Sequence, residues 1–119
     1  MTVTEVIRGS QAWDMVKAAD ASNKAPDAGY EYLLARVKFA YGSGGNLYYT
    51  LLREYFKAYS SANKEYTNPT IVDPKPALID GTALFQGQTA EGWVSFLVSQ
   101  SDTKPVMFYA SSSSWFHLY

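Results

Sequence analysis

Cysteine is absent from the 119-residue sequence, and histidine occurs once, as His117. Without cysteine there are no disulfides, zinc-thiolate sites or thiol nucleophiles, so the fold must rest on packing alone. One histidine and no Asp-x-Asp-x-Asp-Gly loop leave little to ligate zinc or calcium, and no metal or cofactor is expected. The glycine-rich stretch Gly42 to Gly45 lacks the Gly-Lys-Ser/Thr ending and the strand-to-helix context of a phosphate cradle. An excess of one charge is missing as well. Ten Lys+Arg stand against eleven Asp+Glu, scattered for a net charge of −1, which removes the basic footprint that nucleic acid requires. No apolar run approaches the roughly 20 residues of a membrane helix. The opening MTVTEVIRGS has neither the basic start nor the apolar stretch of a signal peptide, so an exported form is expected to have lost its signal.

What is plentiful is aromatic. Three Trp, ten Tyr and six Phe make 16% of the chain, and aromatic residues suit half-buried pleated surfaces. The length suits one domain, residues 1–119, able to hold a core unaided. Residues 2–8 alternate as a strand, with Val3, Glu5 and Ile7 on one side and Thr4, Val6 and Arg8 on the other. Ala12, Trp13, Val16 and Ala19 then fall at helical spacing behind Ser10, a candidate N-cap, which predicts a helix over residues 10–21. A loop rich in Asn, Pro, Asp and Gly follows.

The strongest strand pattern spans residues 30–41, where Leu33, Ala35, Val37, Phe39 and Tyr41 share one face. Residues 47–59 satisfy a helical and a strand period equally well. Beyond a turn at 60–63, prolines and glycines allow only short strands near 69–72 and 83–85. Strands are expected again at 92–98, in PVMFYA and in SWFHLY. One helix and about seven to nine short strands describe a mainly β protein, an antiparallel sandwich.

RGSQAWDMVKAAD, GYEYLLARVKFAY, YFKAYSSANKEY and GQTAEGWVSFLV, in that order, resemble the telokin-like, immunoglobulin-like domain of Gram-positive bacterial lipoproteins and secreted proteins. That family has no assigned activity. The resemblance implies an immunoglobulin-like sandwich with a short N-terminal helix and an extracellular or cell-envelope location. It also implies strands within residues 47–59, with a hairpin whose tight turn puts Asn63 where the family often has glycine; Asn tolerates that left-handed backbone.

The sequence assembles no catalytic set. A Ser/His/Asp arrangement would have to use His117, which alternation places beside Trp115 and Tyr119 on the solvent side of a terminal strand. Asp14, Glu31, Glu54, Asp73, Asp80 and Glu91 are dispersed over different elements, whereas a glycosidase needs two carboxylates facing each other across a cleft. The expectation is a non-enzymatic binding module whose partner is a protein or envelope component, the alternative being a carbohydrate-binding module built on exposed aromatics. Trp93, Trp115, Tyr109 and His117 are the candidate partner surface. Within EGWVSFLV, alternation assigns Val94, Phe96 and Val98 to the core and Trp93, Ser95 and Leu97 to the other face. The serine suggests that the Trp93 face is the less buried, and Trp93 is either open to a partner or roofed by the helix. Trp13 is expected to plug an end of the sandwich.

Overall fold

A computed structural model describes residues 1–42 and 45–119, so the turn expected at Gly42 to Gly45 lies partly outside the described residues. The element order is β1 (Thr2–Arg8), α1 (Ser10–Ala19), β2 (Tyr30–Ala40), β3 (Tyr48–Thr50), a 3-10 turn (Arg53–Tyr55), β4 (Phe56–Tyr59), β5 (Ala83–Phe85), β6 (Thr89–Ser99), β7 (Val106–Tyr109) and β8 (Ser114–His117). These strands form a central sheet β1-β2-β6, an outer sheet β4-β7-β8 and a small sheet β3-β5, all paired antiparallel. The chain is thus mainly β with a sandwich-like core.

The core lies between the central and outer sheets. From β2 come Leu33, Ala35 and Val37, and from β6 come Val94, Phe96 and Val98, meeting Phe56, Ala58, Met107 and Tyr109 of the outer sheet. The register pairs Leu33 with Phe96 and Ala35 with Val94, so both long strands turn the same alternation inward. In β1 that alternation breaks: a bulge between Val3 and Glu5 adds a residue, and Val3 and Val6 both pack on the core. Strict period-2 reading had put them on opposite sides.

The central sheet is buried on its other face too. Tyr32, Leu34 and Trp93 pack beneath Ala12 and Val16 of α1, giving three layers: helix, central sheet, outer sheet. Trp13 stacks on Tyr32 at 6.0 Å over this face, so it covers the sheet and does not plug a sandwich end. The helix also ends earlier than its periodicity suggests. Asp20 is extended and its carboxylate accepts from the Ser22 amide, while the Asn23 side-chain amide donates to the Val16 carbonyl. Ser10 is the first helical residue and not the cap. Gly9, at φ 73°, takes the cap position in a backbone shape that side chains resist.

Residues 47–59 are neither one helix nor one strand. β3 joins the small sheet and β4 the outer sheet, with the 3-10 turn between them, so the two halves belong to different layers. Apolar residues at helical spacing arise here because the chain changes direction within a few residues. The hairpin after β4 closes as expected, Ser60 receiving the Asn63 amide and Asn63 adopting φ 64°. Residues 69–72 form no strand. They lead instead into a segment that closes the free edge of β6: the Trp93 amide donates to the Pro76 carbonyl at 2.8 Å, and the Leu78 amide donates to the Trp93 carbonyl at 3.1 Å. Gly92 makes this approach possible, because a Cβ there would lie 2.5 Å from Pro76 O and Leu78 N. Farther along the edge the Arg53 guanidinium donates to the Ser95 carbonyl and stands 4.9 Å above the Phe96 ring. Both devices satisfy backbone groups that would otherwise offer a pairing edge.

Candidate functional site

The four residues singled out from the sequence are distributed over three places. Trp93 is 5% exposed, beneath α1, with the Arg36 guanidinium 5.5 Å from its ring centre. It is a core residue and not a partner surface. The serine that suggested an open face is itself fully buried. Among the described residues Ser95 Oγ finds no hydrogen-bond partner of good geometry, although its hydroxyl and amide face Asp73. A small side chain at this point leaves room for the Asp73 carboxyl, whose pKa is raised by burial and opposed by Ser95 and Arg53.

Trp115 and His117 do reach solvent. They project from β8 onto the outer face of the outer sheet, and Trp115 is 55% exposed. Alternation in the neighbouring strands brings Tyr59 of β4 and Phe108 of β7 to the same face, since Phe56, Ala58, Met107 and Tyr109 turn inward. Trp115 lies 4.6 Å from Phe108 and 5.3 Å from Tyr59, and His117 stacks on Tyr119 at 4.6 Å. The rings around Trp115 are tilted, at 38° to Phe108 and 61° to Tyr59, so they form a faceted cluster and not a flat row. Lys57 and Glu65 form an ion pair at 3.5 Å, and Glu65 also accepts from Tyr59 Oη at 3.0 Å, adding a charged margin. Sequence reading missed Tyr59 and Phe108, yet the signal was present: each occupies the position opposite in parity to a core residue on its strand.

Tyr109 occupies the third place. Its ring is 3% exposed in the core, so it offers no open surface, but its hydroxyl lies 2.6 Å from that of Tyr49. Tyr49 in turn donates to Ser111 Oγ at 2.9 Å. This hydroxyl chain belongs to a cleft of about 410 Å³ whose walls include Phe39, Tyr41, Tyr49 and Phe116. Burial, reinforced by the bond to Tyr49, holds the Tyr109 phenol well above its ordinary pKa, so it stays neutral.

Several of the acids are engaged in structure. Arg8 binds Glu31 at 3.1 Å and also donates to the Asp102 and Ser99 carbonyls, tying β1 and β2 to the turn after β6. Asp102 accepts from Tyr66 Oη at 2.6 Å and from the Ser61 and Lys104 amides. Burial alone would raise its pKa, but these bonds together bring it below the ordinary carboxylate value. The same contact, after burial, pushes Tyr66 up to about 12. Among the described residues no three His, Cys, Asp or Glu side chains gather to hold a metal, and no helix is long and apolar enough to cross a membrane. No family model, curated protein or solved structure matches the chain.

Proposed function

We propose that the protein is a non-enzymatic binding module that docks a protein partner through the outer face of its outer sheet. One observation carries this reading: the Tyr59, Phe108 and Trp115 cluster is left uncovered, whereas α1 covers the equivalent aromatic face of the central sheet. Clustered aromatic side chains with a charged margin suit a protein hot spot, where a large ring is desolvated and rim charges set orientation. A carbohydrate platform on this face would want coplanar rings, and the tilt around Trp115 does not favour it. The resemblance to the immunoglobulin-like domains of exported proteins supports an extracellular or cell-envelope setting. Coding sequence upstream of Met1 tests that setting: a signal peptide or lipidated cysteine is expected, and a continuous cytoplasmic open reading frame would overturn it. Docking is tested by crosslinking wild type and Trp115→Ala to cell-envelope proteins. A band lost in the variant is expected, and identical crosslinking by both proteins would end the reading.

A further inference from the structure

We propose that the cleft walled by Phe39, Tyr41 and Tyr49 is a second binding site, one that takes a neutral sugar ring. It is separate from the outer face of the outer sheet and does not depend on the protein-docking reading. Its walls come from distant parts of the chain: β2 and the residue after it, β3, β7 and the turn that leads into β8. Tyr49 is the centre, with Tyr41 stacked at 5.3 Å and 23° and Phe39 at 5.8 Å and 18°. At these spacings the three nearly parallel rings are offset-stacked on one another, and together they make an apolar aromatic wall that is only partly buried.

Beside that wall runs the hydroxyl chain. A phenol has one proton to give, and Tyr49 gives its proton to Ser111, so Tyr109 must be the donor to Tyr49. The three hydroxyls therefore form one cluster, Ser111 accepting from Tyr49 and also bonding Tyr109, and its exposed Ser111 end offers an oxygen that can accept from a ligand. Ser112 and Ser114 add hydroxyls to the lining, Met1 joins them, and among the described residues no Asp, Glu, Lys, Arg or His side chain lines the cleft. The ligand that complements these features is neutral, has one apolar face to lie on rings, and carries hydroxyls that both donate and accept. A pyranose has that character. The cleft volume of about 410 Å³ falls inside the span of small-molecule sites, about 300–1,000 Å³, and leaves no room for a folded partner.

The experiment is an NMR titration of the ¹⁵N-labelled protein with the methyl glycosides of glucose, galactose, mannose and N-acetylglucosamine, and with glucuronate as the charged control. Saturable shifts at Tyr41, Tyr49, Ser111 and Ser112 are expected for at least one neutral glycoside in the millimolar range, with glucuronate binding no tighter. Tyr49→Phe keeps the ring and should weaken binding about fivefold, the value of one hydrogen bond. Ser111→Ala, at an exposed position that does not threaten the fold, should weaken it to a similar degree. Trp115→Ala should leave the titration unchanged, which separates failure at this site from failure at the outer sheet. Shifts centred on Trp115, no saturable shift with any neutral glycoside, or unchanged affinity in both hydroxyl variants would each overturn the proposal.

Discussion

The two three-stranded sheets present similar residues on their outward faces and meet different fates. On the central sheet, Tyr32, Leu34 and Trp93 are closed over by α1. On the outer sheet, Tyr59 and Phe108 are half-buried and Trp115 is 55% exposed, with no helix of the described residues over them. Both faces are aromatic and both arise from the same alternation. What separates them is a ten-residue helix, placed on one face by the short connection between β1 and α1. An aromatic face with a cover inside the chain is core, while one without a cover presents apolar surface to water and gains free energy when a partner removes it.

The two tryptophans separate the faces most sharply. Trp93→Ala should cost about 3–5 kcal/mol, because it empties a packed space under α1 that the helix cannot fill by collapse. Chemical denaturation would read this as a lower midpoint, and a loss under about 1 kcal/mol would mean that the helix covers the face only loosely. Gly92→Ala strikes the same region from the edge. The added methyl would meet backbone atoms at 2.5 Å, and displacing residues 76–78 should cost about 1–3 kcal/mol, visible as faster exchange of the Trp93 and Leu78 amides. Unchanged protection of those amides would show that the segment is not held at that edge.

A control lies away from both faces. Asp102→Asn removes the charged acceptor for Tyr66 and two amides and should cost about 1–3 kcal/mol at neutral pH. Because the folded pKa of Asp102 is depressed, its contribution is complete above the unfolded value of about 4 and drains as pH falls through the folded one. The raised Tyr66 works in the opposite sense, stabilising below its unfolded pKa of about 10 and losing that contribution as pH rises through about 12. Melting temperatures from pH 2 to 7 should therefore converge for wild type and variant toward the acid end, and a constant gap would contradict this account. The smallest effect belongs to Trp115→Ala, expected within about 1 kcal/mol of wild type because its ring is already half in water. A loss comparable to that of Trp93→Ala would erase the distinction between the faces.

Much of the architecture was legible in the sequence. The long alternating stretches became β2 and β6, and Val94, Phe96 and Val98 are in the core because period-2 patterning is local and survives any arrangement of neighbours. Asn63 marked its turn for an equally local reason, its tolerance of positive φ. Reading faltered where distant segments intervene. The bulge in β1 altered which residues face inward, the 47–59 stretch was divided between two sheets, and residues 69–72 were drawn along the way to the β6 edge instead of pairing as a strand. Of the candidate surface, Trp115 and His117 were placed correctly on a solvent side. Tyr109 was not, and Trp93, left open between a partner surface and a place under the helix, is under the helix; the atoms that bury both lie far away in sequence.

The sequence alone dictates that Trp93 points away from Val94, Phe96 and Val98, since neighbouring side chains on a strand must point to opposite faces. It also determined that a glycine precedes that tryptophan, without revealing why. Long-range packing settles that the Trp93 face is roofed by α1, that Gly92 admits the 76–78 segment, and that Tyr49 and Ser111 meet the hydroxyl of Tyr109. The physical reason is that a side chain's direction follows from its own backbone, while its burial is fixed by whatever the rest of the chain brings against it.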